Sequence, residues 1–162
     1  MLKMKKTACI DASPETTWRF LSDLENISLW SETVLSSECK GERKKGLGAE
    51  RTCRIGKDTV ITERWTSWIE GESYTYEGYD LPLVKSAKNT WSLKDENGKT
   101  LFTTESELVL KGGIFGRILE PIMSLISKKM GSDALSAFKY LVENGQPYQG
   151  KHSSLPRVST VC

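Results

Sequence analysis

Histidine is almost absent from this sequence. The single His152 lies in a polar stretch near the end of the chain, which argues against catalysis that needs a buried histidine and against a His-rich metal site. Cysteine is sparse too. Cys9, Cys39, Cys53 and Cys162 have no CxxC spacing and read as free thiols of a reducing cytoplasm, not as a disulfide framework or zinc site. No apolar run approaches the roughly 18 residues that span a bilayer. The basic opening MLKMKKTACIDASPE is followed by no apolar core, so no signal peptide is expected. Charges nearly balance, with 23 Lys and Arg against 21 Asp and Glu, and the net +2 selects neither nucleic acid nor an anionic membrane. GKDT and GKT lack the glycine spacing of a phosphate loop. There is no nucleophile elbow, no metal-binding cluster of acids, Cys and His, and no internal repeat. These absences lead to an expected cytoplasmic chain with no cofactor, no metal, no nucleic-acid partner and no stable membrane insertion.

What is present is a change of period along the chain. Lys3 to Ala12 suits a first strand, and Ser13-Pro14-Glu15 reads as a helix start: N-cap, proline at the first helical position, and an acid in the first turn. That helix presents Trp18 and Leu21, and a second short helix over Leu24 to Trp30 follows. From Thr33 the pattern is strand-like: Thr33–Lys40, Gly48–Ile55, Thr59–Ile69, Ser73–Tyr79, Lys88–Lys94 and Thr100–Leu110, rich in Thr, Val, Ile, Trp and Tyr. Short turns separate them, and Asn97-Gly98 is a strong two-residue hairpin signal because both positions favour positive φ. Such turns predict antiparallel meander pairing, seven strands with the first included.

Gly112-Gly113 then opens a long helical pattern to about Asn144, with apolar residues at helical spacing: Ile114, Phe115, Ile118, Leu119, Ile122, Met123, Leu125, Ile126, Met130, Leu135, Phe138, Leu141 and Val142. Pro121 predicts a kink, and Gly131 with Ser132 predicts a break near Met130 to Ser132. The expected organisation is one α+β domain over 1–145 and an extended tail over 146–162, ordered only where it docks.

The order strand, two short helices, six antiparallel strands and long terminal helix resembles the helix-grip fold of the START-like superfamily, which includes proteins of the pollen-allergen and polyketide cyclase/dehydrase types. The resemblance rests on IDASPETTWRFLSDLENISLW, where Ile10, Pro14, Trp18 and Trp30 match the family pattern, on GLGAER, on TERWTSWIEGESYTYE, and on the terminal helix. It covers roughly residues 3 to 144. It implies a curved antiparallel sheet wrapped around the last helix, with a cavity between them. Because the family holds carriers, cyclases and chaperone activators alike, it does not by itself imply an activity.

Alternation within strands nominates the lining of that cavity: Ile61, Glu63 and Trp65 on one strand, Tyr76, Trp91, and Phe102 with Thr104. Opposite them are expected Ile118, Ile122, Met123 and Ile126, with Trp30 closing one end. Ordinary core packing is the competing explanation for each apolar position. Glu63 is the one weak catalytic candidate, since a carboxylate facing a cavity is a candidate proton carrier; a strand bulge would turn it to water instead. Trp65 and Trp68 have opposite parity, which leaves that strand's facing open, as is that of Tyr74, Tyr76 and Tyr79. Arg51 and Arg54 offer positive charge to an anionic ligand head, but read first as a solvated strand face. Three functions stay open: binding, transport or sequestration of a hydrophobic or amphipathic small molecule such as a lipid, quinone or polyketide; a cyclase/dehydrase-type enzyme; and a protein-interaction domain with a filled core.

Overall fold

The computed structural model describes the backbone of residues 1–162 and the side chains of all but 114–117, so Ile114 and Phe115 of the expected stripe lie outside the described side chains. Seven antiparallel strands form one sheet in the order β1-β7-β6-β5-β4-β3-β2. They are β1 (Leu2–Ile10), β2 (Ser36–Cys39), β3 (Glu50–Ile55), β4 (Thr59–Ile69), β5 (Ser73–Tyr79), β6 (Val84–Glu96) and β7 (Lys99–Leu110). Strands β2 to β7 are a meander, and β1 returns to pair with β7. The two edge strands are therefore consecutive in sequence, and the chain must cross the width of the sheet between them. Helix α1 (Pro14–Leu21) and a 3₁₀ helix (Leu24–Leu29) make that crossing.

Local chemistry explains the starts and stops. Ser13 is extended, and its side chain accepts from Thr16 N, so it caps α1 with Pro14 at the first position. Asp23 caps the 3₁₀ helix by accepting from Glu25 N. Asn97 and Gly98 carry φ of 59° and 83°, and Glu96 pairs with Lys99 across them. This tight hairpin lets β6 and β7 pair along their whole length, so β6 extends beyond the expected Lys88–Lys94.

Helix α2 (Ile114–Asn144) is continuous, and the expected break near Met130 to Ser132 is absent. Pro121 lies in the early turns of the helix. Gly131 has a different use: a Cβ there would meet the Lys6 side chain at 3.2 Å, so this position lets β1 approach the helix closely. Lys6 Nζ donates to Lys128 O and Ser132 Oγ, which fastens α2 along β1.

One core joins these layers. Ala8 and Ile10 of β1, Trp18, Leu21 and Leu24, Trp65, Tyr74 and Tyr76, Trp91, Phe102, and Leu135, Phe138, Leu141 and Val142 of α2 are all buried. The tail does not stand free. It runs back over α2, and Cys162 is disulfide-bonded to Cys9. The free-thiol reading is thus corrected for that pair, while Cys39 and Cys53 are free and buried. A bridge between residues 153 positions apart leaves no spacing signal in a sequence. No helix among the described residues is long and apolar enough to cross a membrane.

Candidate functional site

The parity conflict on β4 is resolved by a bulge. Register shifts between Trp65 and Ser67, so Trp65 pairs with Tyr76 while Trp68 pairs with Tyr74. One extra residue thus turns both tryptophans to the concave face, and Glu63 stays on that face with Trp65. Tyr74 and Tyr76 also point inward and are buried, whereas Tyr79 is exposed.

Glu63 does not stand alone. Arg51, opposite it on β3, donates from Nε to Glu63 Oε2 at 2.8 Å and from Nη2 to the same oxygen, and its Nη1 reaches Leu24 O. The guanidinium also lies 5.0 Å from the Trp65 ring centre. Their side chains are 4% and 9% exposed, so this is a buried ion pair. Burial is the largest single influence on Arg51 and works against its charge, but the Glu63 carboxylate, with smaller contributions from Cys53, Tyr76 and the hydrogen bond to Glu63, holds the guanidinium above its usual pKa. The solvated-face reading of Arg51 is therefore corrected; Arg54 is exposed. Burial pushes the Cys53 thiol up to about 12, the Arg51 charge opposing and Glu63 adding. Burial also raises the Tyr74 and Tyr76 phenols well above their usual range. Ile61, Glu63, Trp65 and Tyr76 thus form a packed block, with Trp65 stacked on Tyr76 at 5.1 Å. Trp65 Nε1 is buried there with no acceptor among the described residues.

Space opens on the other side of that block. A cavity of about 110 Å³ is lined by Trp30, Asn89, Trp91, Phe102, Thr104, Ser106, Gly131, Ala134 and Leu135. Four sequence-nominated residues, Trp30, Trp91, Phe102 and Thr104, meet there. Trp30 caps the 3₁₀ helix and lies 5.4 Å from Trp91 and 5.0 Å from Phe138, centre to centre. Asn89 and Ser106 are directly opposite on β6 and β7, and Ser106 Oγ donates to Asn89 Oδ1 at 2.6 Å. An aromatic floor with a polar amide–hydroxyl pair at one edge is the composition of a small-molecule pocket. Asn89 was legible as the residue two before Trp91 on the same strand face. Gly131 and Ala134 were not, because small residues carry no hydropathy signal.

The early turns of α2 depart from expectation. Ile118 is 66% exposed and Ile122 59%, and Leu125 and Ile126 are also exposed. Only Met123 of the nominated helix residues is half-buried. Glu120, Ser124 and Ser127 are half-buried, and Glu120 accepts from the Met1 amino group at 2.8 Å. This half of the helix therefore sets a polar side against β1 and an apolar side outward. Ile118, Ile122 and Ile126 do not line the cavity. The apolar stripe rotates around the helix between its two halves, and hydropathy spacing alone does not reveal which side the sheet takes.

Among solved structures, the chain is similar to the Zhui aromatase/cyclase from Streptomyces sp. R1128, with 13% identity and a TM-score of 0.76 over 88% of this chain and 94% of that one. It is also similar to a START superfamily protein from Mycobacterium smegmatis, with 15% identity and a TM-score of 0.70 over 89% and 99%. A protein from Thermus thermophilus gives 17% identity and a TM-score of 0.72 over 89% and 99%. At these identities the likeness establishes the helix-grip fold. No curated protein matches the sequence. The family model described as polyketide cyclase / dehydrase and lipid transport matches residues 1–143, and the chain belongs to that family.

Proposed function

We propose that this protein binds a hydrophobic or amphipathic small molecule, of the lipid, quinone or polyketide kind, in the cavity between the concave sheet face and α2. The carrying observation is the pocket itself. Trp30, Trp91, Phe102 and Leu135 offer apolar walls, while Asn89, Ser106 and Thr104 offer neutral hydrogen-bonding groups along one side. An apolar ring or chain would be desolvated against the aromatic walls, at about 25 cal/mol per Å² buried. A carbonyl or hydroxyl on it would be oriented by the amide and hydroxyls. At about 110 Å³ the cavity takes one end of such a molecule.

Binding is favoured over cyclase or dehydrase chemistry for a specific reason. Proton transfer needs a group that changes charge within reach of the substrate. The polar lining, Asn89, Thr104 and Ser106, does not titrate near neutral pH. Glu63 is engaged by Arg51 in the packed block beside the cavity.

Native mass spectrometry of freshly purified protein, followed by denaturing extraction, tests the reading. A bound mass that disappears on denaturation, and that is lost in Trp91→Ala while the fold is retained, is the expected result. A clean mass in the parent protein, together with no uptake of fatty acids, quinones or aromatic polyketides added at high micromolar concentration, would overturn it.

A further inference from the structure

Residues 146–162 form a strap across the pocket's helical wall. Gly145 ends α2 with φ of 71°, and the chain turns back. Tyr148 packs edge-on against Tyr140 at 5.1 Å. His152 is buried, and its backbone N–H donates to Glu32 Oε1 at 2.6 Å. Leu155 and Val158 pack on the core. Pro156 O accepts from Ser136 Oγ at 3.0 Å, and Arg157 lies 3.7 Å from Asp133. Ser159 O accepts from Cys9 N at 2.8 Å, and Cys162 is bonded to Cys9.

These attachments interleave with the pocket. Asp133 and Ser136, held by the strap, flank the lining residues Ala134 and Leu135. Glu32, held by His152, is two residues from the lining Trp30. The strap therefore touches two walls at once and closes onto β1 beyond them. Apart from the disulfide, its far end is held by the Ser159 backbone hydrogen bond, the Ser136–Pro156 hydrogen bond, one ion pair whose arginine is 69% exposed, and two partly buried apolar side chains. Exposed ion pairs contribute little, so the covalent bond is the main fastening there. Cys162 is an exposed residue and Cys9 a buried one, so a thiolate approaches the bond from the Cys162 side.

We propose that the strap is a redox-controlled clamp: the Cys9–Cys162 disulfide holds the strap against Asp133 and Ser136 of α2, beside the pocket lining, and its reduction by a dithiol releases the strap and speeds ligand exchange. This rests on the binding reading above. In the reducing direction, a thiolate of the dithiol attacks Cys162 Sγ, the Cys9–Cys162 bond breaks, and Cys9 leaves as a thiolate and takes a proton. The second thiol of the reductant then attacks the mixed disulfide, and Cys162 leaves as a thiol. Two electrons pass from the dithiol, which becomes a disulfide, to the protein.

Three forms of the full chain test this: oxidised, reduced with dithiothreitol, and Cys162→Ser. Alkylation after unfolding without reductant should block two cysteines in the oxidised form, Cys39 and Cys53, and all four after reduction. Hydrogen exchange should speed up at residues 152–161 and at Cys9 in the reduced and Cys162→Ser forms, with β4 and β5 unchanged. Release of bound 8-anilinonaphthalene-1-sulfonate, counting only the signal that Trp91→Ala abolishes, should be about tenfold faster in both. Four reactive thiols in the oxidised protein would overturn the proposal. So would a freed strap with an unchanged release rate, and in that case the binding reading would stand. Absence of any Trp91-dependent probe signal in all three forms would overturn the binding reading and the clamp with it.

Discussion

Replacing Glu63 by alanine isolates the energetics of the buried pair. The substitution leaves the Arg51 guanidinium 4% exposed, with Leu24 O and the Trp65 ring as its remaining partners. Charges about 4 Å apart at an effective dielectric of about 20 attract by about 4 kcal/mol. Mutational experience with broken buried pairs gives about 3–5 kcal/mol. The two routes agree, so Glu63→Ala should lower unfolding free energy by about 4 kcal/mol and Tm by roughly 10–15 °C for a chain of this size. Urea titration and calorimetry read both. The exposed Arg64–Glu50 pair, at 57% and 27% side-chain exposure, is the control, and Glu50→Ala should cost under about 1 kcal/mol. Arg51→Met combined with Glu63→Leu should recover most of the loss, since a buried pair replaced by apolar groups is often neutral. A Glu63→Ala loss below about 1 kcal/mol would refute the reasoning, because the guanidinium would then have found water or another partner.

Four further outcomes follow from particular residues. Cys53, raised to about 12 from an ordinary value near 9, is protonated in the folded protein at neutral pH. It should resist iodoacetamide at pH 8 until unfolded, and its contribution to stability, complete below pH 9, should fall as pH rises from about 9 to about 12, because the unfolded state loses the proton first. Ser13→Ala removes the cap of α1 and should cost about 1 kcal/mol by urea titration. Reducing Cys9–Cys162 frees the unfolded chain from a long closed loop and should cost about 2–5 kcal/mol in the same assay. Phe138→Ala should cost about 3–5 kcal/mol, whereas Ile122→Asn should stay within about 0.5 kcal/mol, because the first side chain is fully buried and the second is 59% exposed.

Local signals in the sequence determined the element types and their order. Ser13-Pro14, Asn97-Gly98 and Gly112-Gly113 act within a few residues of themselves, through capping and positive φ, and the structure places its boundaries beside them. Strand alternation likewise put Phe102 and Thr104 on one face with no tertiary information, because the pleat fixes parity until something interrupts it, and the pairing of Trp91 with Thr104 then set Trp91 on that face. Tertiary structure decided whatever depends on a neighbour from a distant part of the chain. The bulge after Trp65 turned both Trp65 and Trp68 inward, and Arg51 arrived opposite Glu63 to convert a candidate acid into half of an ion pair. Rotation of the apolar stripe around α2 left Ile118 and Ile122 in the open, since spacing gives the width of a stripe and not the direction of the sheet. Cys9 and Cys162 lie at opposite ends of the sequence, and only the return of the strap along α2 to β1 brings their Cα atoms to 5.1 Å.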